Sequence, residues 1–215
     1  DYDELRQAVE VEEECTSYVP IPNQINFKDD KWINDNWTFN ENGLKSFLSE
    51  TGVYGLFRAM NVSEEPQIAS NYLNKIMQQE DIMKKLQNKR FVVSEGEIIG
   101  VVGSRYTAYS NRQFLEDLPT KDMNMTRAVK SNSLMTVSFT ELFKGFHLKG
   151  GDDRTEIGQT FKSSHVGDSS FKSLLTTLRT ICTNGMHHKI DGLNMRAYHT
   201  GGYDNMKTRL DNIIE

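Results

Sequence analysis

Two cysteines in 215 residues, Cys15 and Cys182, are too few for a disulfide framework, so a reducing compartment is the simpler reading. Four prolines exclude a proline-rich linker. No apolar run approaches the length of a membrane-spanning helix. The opening Asp1-Tyr2-Asp3-Glu4 lacks the basic and then apolar character of a secretory signal. No CxxC, HExxH, HxE…CxxC or Gly-x-Ser-x-Gly pattern occurs, and neither GxGxxG nor GxxxxGK[ST] is present. Those absences remove the common sequence signatures of zinc sites, hydrolase elbows and phosphate loops.

What is there is unevenly charged. Residues 1–60 carry 5 Lys/Arg against 12 Asp/Glu, and residues 121–215 carry 13 against 10, although the whole chain is at −5. All five histidines also fall in that later part: His147, His165, His187, His188 and His199. A basic rear half suits an anionic partner, and equally an ordinary solvated surface.

The local patterns set an order of elements. Glu4 to Tyr18 reads as a short helix or loose arm. Residues 23–37 read as an Asn/Asp-rich loop pinned by Phe27, Trp32 and Trp37. Asn40 caps a helix whose start Gly43 weakens, ending near Gly52. Ser63 caps an amphipathic helical region running to about Lys89 and broken near Asp81. Two β runs flank Ser94-Glu95-Gly96-Glu97 as a hairpin. Asn111 opens a short helix stopped by Pro119, and 120–132 is polar and loop-like. Strands dominate from Leu134, with turns at Gly150-Gly151-Asp152-Asp153 and at Gly167-Asp168. The tail from Tyr203 is a helix. The expected fold class is α+β, an antiparallel sheet with helices packed on one face. The expected division is an acidic, partly irregular segment at 1–60 and an α+β domain at 61–215.

Two stretches carry a resemblance. GEIIGVVGSRYTAYSNRQFLEDL (96–118) supplies Gly100, Val101, Val102, Gly103, Arg105, Tyr106 and Asn111. SSHVGDSSFKSLLTTLRTICTNGM (163–186) with RAYHTGG (196–202) supplies Ser164, His165, Gly167, Arg179, Cys182, Asn184, His199 and Thr200. In order and spacing these resemble the phage/plasmid-like proteins collected as domain of unknown function family 932. The Trp-His-Gly-Leu-Gly stretch that often opens family members is missing here. The resemblance implies a bacteriophage or mobile-element origin and the cytoplasm of the bacterial host. A likeness of pattern to single-strand annealing recombinases is fold-level analogy alone.

The chemistry of single-stranded nucleic-acid binding needs cations for phosphates and aromatics for bases. Arg105, Tyr106 and Tyr109 precede a helix whose N-terminus suits a phosphate. Lys162, His165, Lys172, Arg179 and Asn184 follow, then Arg196, Tyr198 and His199, with strand hydroxyls between them. The competing reading packs the tyrosines and pairs Arg179 with a carboxylate. Adjacent His187 and His188 are poorly placed to ligate one ion, and Cys182 beside apolar neighbours reads as a small buried residue. The expectation is therefore a non-enzymatic, cofactor-free binder of single-stranded DNA in recombination or annealing, acting as a homo-oligomer, with no metal and no membrane. The alternative is a non-catalytic phage interaction protein, a virion component or an inhibitor of host defence. An enzyme is favoured only if His165, Arg179, Asn184 and His199 converge in one pocket.

Overall fold

The structure, a computed structural model, describes residues 5–7, 9–10, 15–28, 31–34, 36–59, 65–118, 123–131, 134–147, 154–167, 169–179 and 186–214. Two compact units interleave along the chain. One comprises residues 1–10, 107–165 and 169–215, the other 11–106 and 166–168. The main division falls at 106/107, with residues 1–10 grouped with the later part of the chain and 166–168 with the earlier. The α+β class holds, with the strands gathered into two sheets.

In the unit of residues 11–106, β1 (Thr16–Pro20), β2 (Asn26–Lys28), β3 (Lys31–Asn34), β4 (Trp37–Phe39), β5 (Lys89–Ser94) and β6 (Glu97–Gly103) lie in the order β1-β5-β6-β4-β3-β2. Only the β4–β6 contact is parallel. The hairpin between β5 and β6 turns at Glu95 and Gly96, both at positive φ (52° and 81°). That is the requirement of a tight two-residue turn matched to strand twist. Phe91, Val92 and Val93 are all buried in succession. Phe91 and Val93 join one apolar cluster, while Val92 joins Ile99, Val102 and Val166 in another. A strand covered on both faces reads as a continuous apolar run, which is why RFVV and EIIGVV show no alternation.

The helices of this unit are α1 (Glu41–Glu50), α2 (Tyr54–Ala59), α3 (Pro66–Met77) and α4 (Glu80–Gln87). Asn40 caps α1, its Oδ1 accepting from the Gly43 amide at 2.8 Å. Gly43 is no mere weak point in the helix. A Cβ there would stand 2.0 Å from the Ile98 carbonyl oxygen, so α1 and β6 approach main chain to main chain. The break between α3 and α4 comes at Gln78–Gln79, a little before Asp81, where Gln79 is extended. Ser63, the expected cap, lies outside the described residues.

Within the expected loop at 23–37, residues Asn26–Lys28 and Lys31–Asn34 are strands and Trp37 begins a third. Phe27 sits opposite Trp32 across β2 and β3, ring centroids 5.2 Å apart, and Trp32 is buried. Asn74 on α3 exchanges two 2.9 Å hydrogen bonds with the Ile25 backbone, and Ser70 accepts from the Phe27 amide. The strands there are too short to show a period against their Asn/Asp-rich turns. Trp32 is core, and Phe27 and Trp37 are partly buried against the same cluster.

In the other unit, β7 (Met123–Lys130), β8 (Met135–His147), β9 (Arg154–Ser163), β10 (Phe171–Arg179) and β11 (Met186–Ala197) form an antiparallel sheet ordered β11-β10-β9-β8-β7. β7 replaces the loop expected at 120–132. A register shift between Met125 and Arg127 interrupts its alternation, which hides it from a period-two pattern. β11, in which charged and His residues break up Met186, Ile190, Leu193, Met195 and Ala197, differs likewise from the expected order of elements. α5 (Asn111–Glu116) and α6 (Tyr203–Ile214) complete the unit. Phe114 and Leu115 of α5 pack with Met135, Val137, Phe139, Phe161 and Phe171. The Gly150–Asp153 turn lies outside the described residues, whereas Gly167 does turn, at φ 77°.

Replacing Gly43 by alanine should cost about 1–3 kcal/mol or more, because main chain cannot step aside as a flexible side chain does. Gly55→Ala, whose added Cβ meets nothing within 4 Å, should be neutral or stabilise α2 by up to about 1 kcal/mol. Urea midpoints compare the two. Equal effects would disprove the backbone approach.

Candidate functional site

The register of the five-stranded sheet decides which side chains share a face. Lys172 stands opposite Lys162 on β9 and opposite Arg196 on β11, and Lys162 stands opposite Thr136 on β8. Directly paired residues point to the same side, so Arg196, Lys172, Lys162 and Thr136 form one row across four strands. Arg127, opposite Ser138, which stands opposite Thr160, belongs to the neighbouring row of that face. The alternate residues, Phe161, Val137 and Phe171, are buried on the other face.

Arg196 and Arg127 are exposed, and Lys162 and Lys172 are half-buried. Among the described residues none of the four forms an ion pair. Strands lie about 4.8 Å apart, so the three cations of the first row span about 10 Å. Like charges directly opposed across strands are destabilising. The Ser138 and Thr160 hydroxyls, 2.9 Å apart, fill the space beside the row. Tyr198, 60% exposed, follows two residues after Arg196. Among the described aromatics of this unit it is the most exposed.

Other expected contacts are placed differently. Tyr109 is 1% exposed, its hydroxyl donating to Asp117 Oδ2 at 3.0 Å, so it presents no ring face to a base. Asp117 also accepts from Lys207 Nζ of α6 at 3.1 Å. His165 and His199 are 4% and 5% exposed. Asn111 Nδ2 and His165 Nδ1 are in hydrogen-bond contact at 3.1 Å. His199 packs on Tyr109, centroids 6.0 Å apart, and its carbonyl accepts from the Thr107 amide. These groups build a polar seam under the 107–111 loop. The start of α5 is closed as well: Ser110 and Gln113 form a reciprocal capping box, which occupies donors a phosphate would need.

Arg105 is exposed and Tyr106 half-buried against Tyr18, both in the unit of residues 11–106. Arg179 pairs with Met186 at the far end of β10, whereas Phe171 pairs with Ala197. Eight residues of strand, about 26 Å, therefore separate Arg179 from the His199 end. Asn184, Cys182 and Asp168 lie outside the described residues. Among the described residues no group of three His, Cys, Asp or Glu is arranged to hold a metal ion, and no helix is long and apolar enough to cross a membrane.

Burial holds His199 down to about 4 from its usual 6.5. A depressed histidine stabilises the fold fully above the unfolded value and loses that contribution as pH falls. Unfolding free energy should therefore drop between pH 6.5 and 4 by up to about 3 kcal/mol. Urea titrations of the wild type and of His199→Gln across that window isolate the effect. Parallel profiles would remove it.

Residues 98–211, more than half of the chain, match the family model described as domain of unknown function (DUF932). No curated protein and no solved structure matches.

Proposed function

This chain belongs to the DUF932 family, and we propose that it binds single-stranded nucleic acid along the cation row of its five-stranded sheet, in recombination or annealing within a phage or other mobile element. The observation that carries this reading is the Lys162–Lys172–Arg196 row. Three unneutralised cations held in line across adjacent strands cost stability, and a polyanion relieves that cost. A sheet tolerates such a local conflict where a ligand supplies the missing charge.

The row runs across the strands, so the nucleic acid also crosses them. About 10 Å of row faces roughly three nucleotides of a stacked strand at ~3.4 Å each. Tyr198 lies at the β11 edge and offers its ring to a base. The half-buried Thr136 hydroxyl, in line with Lys162, adds a neutral donor for a phosphate oxygen. The charge is modest, so several copies acting on one strand give useful affinity.

Binding of labelled single-stranded DNA, measured by anisotropy over a salt series, tests this. Each Lys162→Gln, Lys172→Gln or Arg196→Gln change should reduce the log–log salt slope by about 0.7. Tyr198→Ala should weaken binding roughly 5- to 100-fold with the slope unchanged. No binding at low salt defeats the proposal, as does a slope indifferent to all three charge changes.

A further inference from the structure

The unit of residues 11–106 holds a cavity of about 190 Å³. Its floor is apolar and buried: Trp32 of β3, Leu48 of α1 and Phe57 of α2 are 5%, 4% and 6% exposed. Trp32 and Phe57 are in ring contact at 5.5 Å, so the floor is a fixed aromatic surface. Tyr54 makes a half-buried wall, and the exposed rim carries Glu41, Lys45 and Arg58.

The rim is unusual in what it leaves unpaired. Glu41 and Lys45 lie four apart on α1, the spacing at which helical ion pairs form. They do not pair, and Arg58 has no carboxylate partner among the described residues. Lys45 Nζ stands instead over the Tyr54 ring, 5.9 Å from its centroid. One carboxylate and two cations therefore stand separately around an aromatic bowl.

Size and charge together select the occupant. A dry cavity of about 150 Å³ accommodates benzene, so the 190 Å³ here seats a single ring, and the mouth opens to solvent at the charged rim. An aromatic acid would meet Arg58 and Lys45 but also the repulsion of Glu41. A ligand with both charges on a short arm satisfies the whole rim. We propose that this cavity binds a free aromatic α-amino acid, its ring on Trp32 and Phe57, its carboxylate toward Arg58 and Lys45, and its ammonium toward Glu41. The site is independent of the sheet face that binds nucleic acid.

The test uses the full chain, labelled with ¹⁵N, and follows the Trp32 indole N–H resonance during titration with phenylalanine. The resonance should shift and saturate in the millimolar range or below. Phenylpropionate lacks the ammonium and phenethylamine lacks the carboxylate; each should bind about tenfold more weakly, the loss of one charge-assisted contact. Arg58→Gln should weaken phenylalanine about tenfold and leave phenethylamine unchanged. Glu41→Gln should weaken phenylalanine and phenethylamine and leave phenylpropionate unaffected or improved. Both variants alter exposed side chains, so the fold survives them. An unmoved Trp32 resonance overturns the proposal. So does equal binding of all three compounds, or tighter binding of phenylpropionate than of phenylalanine.

Discussion

Strand register in the five-stranded sheet is the constraint from which the rest of that unit follows. Phe161 must face the core, as must Val137 opposite it. Strand alternation then sends Lys162 to the other side, opposite Lys172, which is opposite Arg196. A slip of one residue would bury a lysine and expose a phenylalanine, so burial of the aromatic face holds the cations in line. The apolar core and the charged row are two results of one pairing pattern.

The other unit depends on close main-chain approach. Gly43 lets α1 settle against the Ile98 carbonyl, and Gly100 leaves room for Val166, whose Cβ would lie 2.9 Å from an added methyl. These two glycines of β6 and α1 stand where the sheet is covered from both sides. Neither belongs to a phosphate-binding turn. Packing the helices this closely places Trp32, Leu48 and Phe57 on a common floor.

Signals local to a few residues were legible in the sequence. The Asn40 cap, the Glu95-Gly96 turn and the helix at Tyr203 each declare themselves within one turn of chain. So did the family, through residues spread over 96–202. Elements defined by a distant partner were not legible. β7 and β11 are edge strands of mixed polar and apolar sequence, stabilised by pairing with β8 and β10. β2 to β4 hide among Asn and Asp. The site was legible in composition and not in geometry. Lys162, Lys172 and Arg196 were candidates on charge alone, but only the register aligns them. Tyr109, His165 and His199 were candidates too, and burial distinguishes them from Tyr198.

The pitch of the cation row is set by the hydrogen bonds between strand backbones. Like a ruler cut into the peptide ladder, it has teeth that substitution removes or blunts but does not move. Drift in the side chains thus alters the charge each position carries while leaving the spacing of the positions unchanged.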